Sequence, residues 1–172
     1  MQGKYKKQDT IVYGTTGICT IEDIRQKSFS PGQQEMYYIL KPVFSPSSTV
    51  YVPVDNERLT AKMRRVLTKP EIDALVDTVA KRGDVWTEDR RERVDRFKAT
   101  LSEGIGTELL TMIHSLHRHK AQLEQQHKKL CSADEQTYAS AKKMVTEEFS
   151  YALHIAPDEV EAYIVNRLQN PA

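Results

Sequence analysis

The hydrophobic pattern changes its period once along the chain, near residue 60. Before that point apolar residues come in short runs separated by turn signals, which predicts strands. Thr10–Tyr13 is the first such run. The GTTG stretch from Gly14 to Gly17 is a turn, with glycines to supply unusual dihedrals. Residues 18–24 alternate imperfectly, as a short, strongly twisted strand does. Pro31-Gly32 marks another turn within SFSPGQQ. Residues 35–41 (EMYYILK) and 48–54 (STVYVPV) complete the set. Pro53 is restricted to an edge or an end, because proline cannot donate to a ladder. Roughly four or five short strands, tightly connected, predict a small curled antiparallel sheet or barrel.

Beyond residue 60 the spacing becomes helical. Thr68, Pro70 and Glu71 form a helix start, and Ile72, Leu75, Val76 and Val79 are its apolar stripe. Gly83 ends it. A second helix follows, capped by Asp84 or Thr87, with Val94, Phe97 and Leu101 as its buried face. Gly104 and Gly106 mark the next break. Leu109, Leu110, Ile113, Leu116 and Leu123 define a long helix of roughly five turns. Ser132 to Glu135 form a capping box that opens a helix through Leu153, and Pro157-Asp158-Glu159 opens a short last one. The pattern therefore predicts an α+β chain, with a β domain over residues 1–60 and a compact helical bundle over residues 61–172.

Charge changes this picture by position more than by amount. The net charge of +1 argues against a strong general binder of polyanions. Residues 1–68 hold ten Lys/Arg against six Asp/Glu, a balance of +4, whereas residues 132–172 hold three against seven, a balance of −4. A polyanion should meet the front or the middle. Cys19 and Cys131 lie far apart and make no metal-ligand spacing, so free thiols in a reducing cytoplasm are the simplest reading. No apolar run approaches a membrane span, and the expectation is a cytoplasmic protein.

Candidate chemistry concentrates in residues 81–101, KRGDVWTEDRRERVDRFKATL. Here the only tryptophan, Trp86, is followed by Arg90, Arg91, Arg93 and Arg96. The first two arginines stand at a helix N-terminus, where the macrodipole disfavours positive charge. Guanidinium groups pair with phosphates and an aromatic wedge can enter a base step, so this set suits a nucleic-acid contact. The plain alternative is that Trp86 seals a small core and the arginines belong to a solvated face diluted by Asp84, Glu88, Asp89, Glu92 and Asp95. In the β half, an edge strand could pair with a partner's backbone, with Tyr37 and Tyr51 as aromatic anchors.

No catalytic set is found. The first histidine is His114, and His114, His117, His119 and His127 lack a carboxylate at metal-ligand spacing. There is no phosphate-binding glycine loop and no nucleophile elbow. The expectation is a non-enzyme without cofactor or metal.

Several segments together resemble one family, the CarD/CdnL regulators of bacterial RNA polymerase. They are DTIVYGTTGICTIEDI (residues 9–24), YYILKP (37–42), STVYVPVDN (48–56), Trp86 with its arginine-rich helix, and DEVEAYI (158–164). The front half also resembles the polymerase-interacting module of the transcription-repair coupling factor, which lacks the helical half. The resemblance implies a Tudor-like barrel that docks on the polymerase β subunit partly through an edge strand. Lys27, Tyr51 and Pro53 would take part in that docking. It implies a helical DNA-binding part in which Trp86 wedges into the minor groove at the upstream edge of the promoter bubble. Arg90, Arg91, Arg93 and Arg96 would reach the DNA backbone. The implied function is stabilisation of the open promoter complex, without reading base sequence, by a monomer. The competing expectation is a polymerase adaptor without DNA contact, with Trp86 turned inward and the arginines consumed by internal ion pairs.

Overall fold

The structure is a computed structural model that describes residues 4–171. The chain divides into two compact units, one ending at Val66 and the other starting at Leu67.

The front unit is one antiparallel sheet. Its strands are β1 (Thr10–Tyr13), β2 (Gly17–Ser30), β3 (Gln33–Pro42), β4 (Val50–Pro53) and β5 (Met63–Arg65), in the order β4-β3-β2-β1-β5. The architecture is that of a Tudor-like β domain. The core is Ile11, Cys19, Ile21, Tyr38, Leu40, Val52 and Met63. β2 and β3 are longer than the pattern predicts. Their outer halves are exposed on both faces, so no alternation marks them. Ser30 pairs with Gln33 across Pro31-Gly32, and Gly32 takes φ +81°, the left-handed region a type II turn needs at that position. The register shifts between Ile21 and Asp23, a bulge that increases local twist.

Two elements here lie outside the sequence expectation. Helix α1 (Glu57–Thr60) is a single turn capped by the Asn56 side chain, which accepts from the Leu59 N–H. β5 pairs with β1, Val12 opposite Arg64, so the sheet continues beyond residue 60 and the division falls after Val66. A strand of three residues, two of them arginines, carries no β signal. Met63 alone fills the core, and its carbonyl accepts from the Tyr5 hydroxyl at 2.9 Å.

The second unit is helical: α2 (Lys69–Ala80), α3 (Arg90–Glu103), α4 (Thr107–Gln125), α5 (Ser132–Leu153) and α6 (Val160–Gln169), with a 3-10 turn at Pro157–Glu159. Among the described residues no helix is long and apolar enough to cross a membrane. At the start of α2, the Glu71 carboxylate accepts from the Thr68 N–H at 2.8 Å, as the pattern predicts. Two starts differ from expectation. α3 is capped by Asp89, not by Asp84 or Thr87, and α5 begins after Cys131 without a side-chain cap. Because α3 starts late, Trp86 stands on the connection between α2 and α3 rather than on a helix.

The core gathers Ile72, Val76, Phe97, Leu109, Leu116, Val145 and Phe149, with Trp86 packed against its border. Phe97 is 1 % exposed and ties α3 to this core. Phe97→Ala should destabilise the helical unit by about 3–5 kcal/mol through lost burial and a cavity. Urea denaturation followed by circular dichroism measures this, and an unchanged midpoint would contradict the assigned packing.

Candidate functional site

The residues around Trp86 form an ordered stack. The Arg93 guanidinium carbon lies 4.0 Å from the indole centroid, and the His119 ring lies 4.0 Å from it with 16° between the planes. Two planar groups this close cannot share one face, so they cover opposite faces. The indole is half-buried. Its Nε1–H has no hydrogen-bond partner among the described residues and is not a buried orphan, so this edge reaches solvent. Trp86 therefore neither lies in the interior nor offers an open face.

Each cover is anchored by a carboxylate. Arg93 is 6 % exposed and Asp134 is 1 % exposed. Arg93 Nη2 donates to Asp134 Oδ2 at 2.8 Å, Nε donates to the same oxygen at 3.2 Å, and Nη1 donates to the Thr87 carbonyl at 2.7 Å. The Cys131 thiol donates to Asp134 Oδ2 at 3.0 Å. On the other side, His119 Nε2 is 2.8 Å from Asp84 Oδ2. Asp84 Oδ1 accepts from the Trp86 N–H at 3.0 Å and from the Ser115 hydroxyl. Burial pushes the Asp84 carboxyl up. The hydrogen bonds from Ser115, His119 and the Trp86 backbone, and the charge of His119, outweigh burial and hold it at about 2.

The four arginines are not equivalent. Arg93 is spent inside the unit and presents nothing to an external phosphate. This is the feature the adaptor expectation required, but only at this position. Arg90, Arg91 and Arg96 are exposed, and their side chains have no partner among the described residues. At ~100° per residue, Arg91 shares a flank of α3 with Lys98, while Arg96 falls on the other flank. Lys98, also exposed, carried no signal of its own because it follows the buried Phe97.

In the front unit, Lys27, Tyr37, Tyr51 and Pro53 lie close together on β2, β3 and β4. β4 is at an end of the sheet, where Pro53 is tolerated, and Tyr37 pairs with Pro53 while Ile39 pairs with Tyr51. Lys27 Nζ lies 6.0 Å from the Tyr51 ring centroid. Phe29 completes the group. Its ring meets Tyr37 edge-on at 5.2 Å and Tyr51 at 5.1 Å, yet it is 61 % exposed. Sequence reasoning missed Phe29 because it sits in a serine-rich stretch beside the Pro-Gly turn. An aromatic there was the available signal.

Residues 5–67 match the family model described as CarD-like/TRCF RID domain. The front unit is a CarD-like/TRCF RID domain. No curated protein matches the chain. The match ends where the sheet ends, so it covers β1 to β5 and leaves the helical unit to its own geometry. A RID domain is a non-catalytic module that interacts with RNA polymerase, and it gives the chain a transcription-related, polymerase-binding role. The exposed group around Phe29 and the end strand β4 are the parts of this RID domain best suited to meet a protein, since exposed aromatic anchors and an open ladder are what such contacts use.

Two outcomes follow from the Trp86 stack. Arg93→Ala leaves Asp134 buried without its counter-charge and should cost about 3–5 kcal/mol, whereas Arg91→Ala should change stability by less than about 0.5 kcal/mol. Denaturant titration of the two variants tests the contrast. The folded pKa of Asp84, about 2, lies below its ordinary 3.8. The unfolded chain therefore takes up the proton first as pH falls. The stability Asp84 contributes is complete above about pH 4 and is lost on descent towards pH 2. Asp84→Asn should flatten that acid limb in thermal melts recorded from pH 6 to pH 2.

Proposed function

We propose that this protein is a transcription regulator that docks on the polymerase β subunit through its RID domain and stabilises the open promoter complex through its helical unit. The docking surface is the β4 edge with Lys27, Phe29, Tyr37, Tyr51 and Pro53. The DNA contact is made in the minor groove at the upstream edge of the bubble by Trp86, with Arg90, Arg91 and Arg96 on the flanking phosphates. Arg93 is reassigned from phosphate contact to support of Trp86.

The observation that carries this reading is a half-buried indole held between two covered faces, with its N–H free of any partner among the described residues. An indole held this way acts as a stiff wedge. Its N–H donor finds an acceptor in the minor groove of either orientation of an A·T pair, so the contact is largely insensitive to sequence. A wedge enters where base steps are already unstacked, so it binds the melted form better than the closed duplex, and differential affinity is what shifts an equilibrium. The near-neutral net charge is compatible with this role only if polymerase supplies the tether. A polymerase adaptor without DNA contact is the second reading, favoured by the internal use of Arg93.

Trp86→Ala should shorten the lifetime of promoter open complexes by about ten-fold, as loss of a central aromatic anchor does, with binding to the β subunit unchanged. Phe29→Ala and Tyr51→Ala should instead weaken β-subunit binding by about ten-fold in a pull-down or titration. An unaltered lifetime with Trp86→Ala would favour the adaptor.

A further inference from the structure

The two covers of Trp86 are held very differently. Arg93 is buried and fixed by several bonds, whereas the His119 side chain is 20 % exposed and, among the described residues, its polar tie runs from Nε2 to Asp84. Asp84 in turn grips the Trp86 backbone N–H and the Ser115 hydroxyl, one helical turn before His119 on α4. One carboxylate therefore sets both where the chain carries Trp86 and the plane of the ring laid over it.

We propose that His119 is the positioning residue of Trp86: anchored by Asp84, it closes the second indole face and leaves the N–H edge as the part offered to a duplex. This rests on the DNA reading above. Trp86 lies on a non-helical connection, where no neighbouring helical turn restricts its side chain. Arg93 alone closes one face and permits the indole to turn its other face outward. An open indole face stacks on any splayed base, which favours single strands in general. With both faces covered, that mode is closed and the edge alone enters the groove. His119 thus converts a general base-stacking residue into a wedge for one place, the border between duplex and bubble.

The chain has one tryptophan, so its fluorescence reports this site alone. The full-length protein is compared with His119→Ala, His119→Phe and Asp84→Asn. His119→Ala should raise acrylamide quenching of Trp86 about two-fold, and His119→Phe, which keeps a flat ring, should hold it near the parent value. Asp84→Asn, which keeps the ring but weakens its anchor, should fall between. With polymerase and a promoter, His119→Ala should shorten the open-complex lifetime about three- to ten-fold while β-subunit binding stays the same, and His119→Phe should recover most of the loss. The proposal is overturned if quenching is unchanged in His119→Ala, or if His119→Phe is as open to acrylamide as His119→Ala. If Trp86→Ala itself leaves the lifetime unaltered, the DNA reading fails instead, and the quenching series still decides whether His119 positions the indole.

Discussion

The ion pair between Arg93 and Asp134 is the constraint on which the geometry around Trp86 depends. Isolated from water, such a pair contributes little net stability, because desolvation offsets the attraction. Its value here is geometric. The guanidinium reaches from α3 to α5 through Asp134, to the α2–α3 connection through the Thr87 carbonyl, and to the indole through its flat face. That connection has no regular structure of its own, so its path is set by these bonds and by Asp84. Arg is required for this. A lysine ammonium could pair with Asp134 but could not also lie flat on the ring and fork its donors between a carboxylate and a carbonyl.

The same helix shows how local stability and surface chemistry pull apart. Arg90 and Arg91 occupy the first turn of α3, where positive charge opposes the macrodipole. Asp89 and Glu92 compensate: Asp89 Oδ1 accepts from the Glu92 N–H at 2.8 Å. The helix end is therefore stabilised by its cap while two cations remain exposed without internal partners. In the RID domain the equivalent tension is Phe29, a large apolar ring left in water and held by edge-on contacts to two tyrosines. Neither feature improves folding. Both are the kind of surface that becomes favourable only against a partner.

What was legible in the sequence follows from which forces are local. Helix starts at Thr68 and Pro157, the breaks at Gly104 and Gly106, and the turn at Pro31-Gly32 are set by neighbouring residues and were read correctly. The β5 strand was not, because it is a strand only by pairing with the distant β1, and the outer halves of β2 and β3 were not, because they pair across Pro31-Gly32 with both faces exposed and so show no alternation. At the site, Trp86, the arginine run, Tyr37 and Tyr51 were visible, and the resemblance added Lys27 and a docking role for Tyr51 and Pro53. The separate fate of Arg93 was hidden. Nothing in RRERVDR distinguishes it from its neighbours until Asp134 arrives from α5. His119 was hidden for the same reason, as one histidine among several on α4.

The arrangement of weak contacts is itself informative. On the proposed DNA reading, three exposed arginines on α3 can neutralise only a few phosphates, so electrostatic affinity for free DNA would be small and strongly salt-dependent. An indole edge adds one donor and a modest apolar area. On the same reading, this unit alone would exchange rapidly among all duplexes and hold none. On the proposed reading, once the RID domain is seated on polymerase, the DNA-facing residues would need to discriminate only between melted and closed forms of the promoter presented to them. A tight, basic DNA-binding surface would defeat this, since it would hold the closed duplex as firmly as the open one and shift no equilibrium. In the proposed role, weakness of the second contact is what would let it act on promoter state.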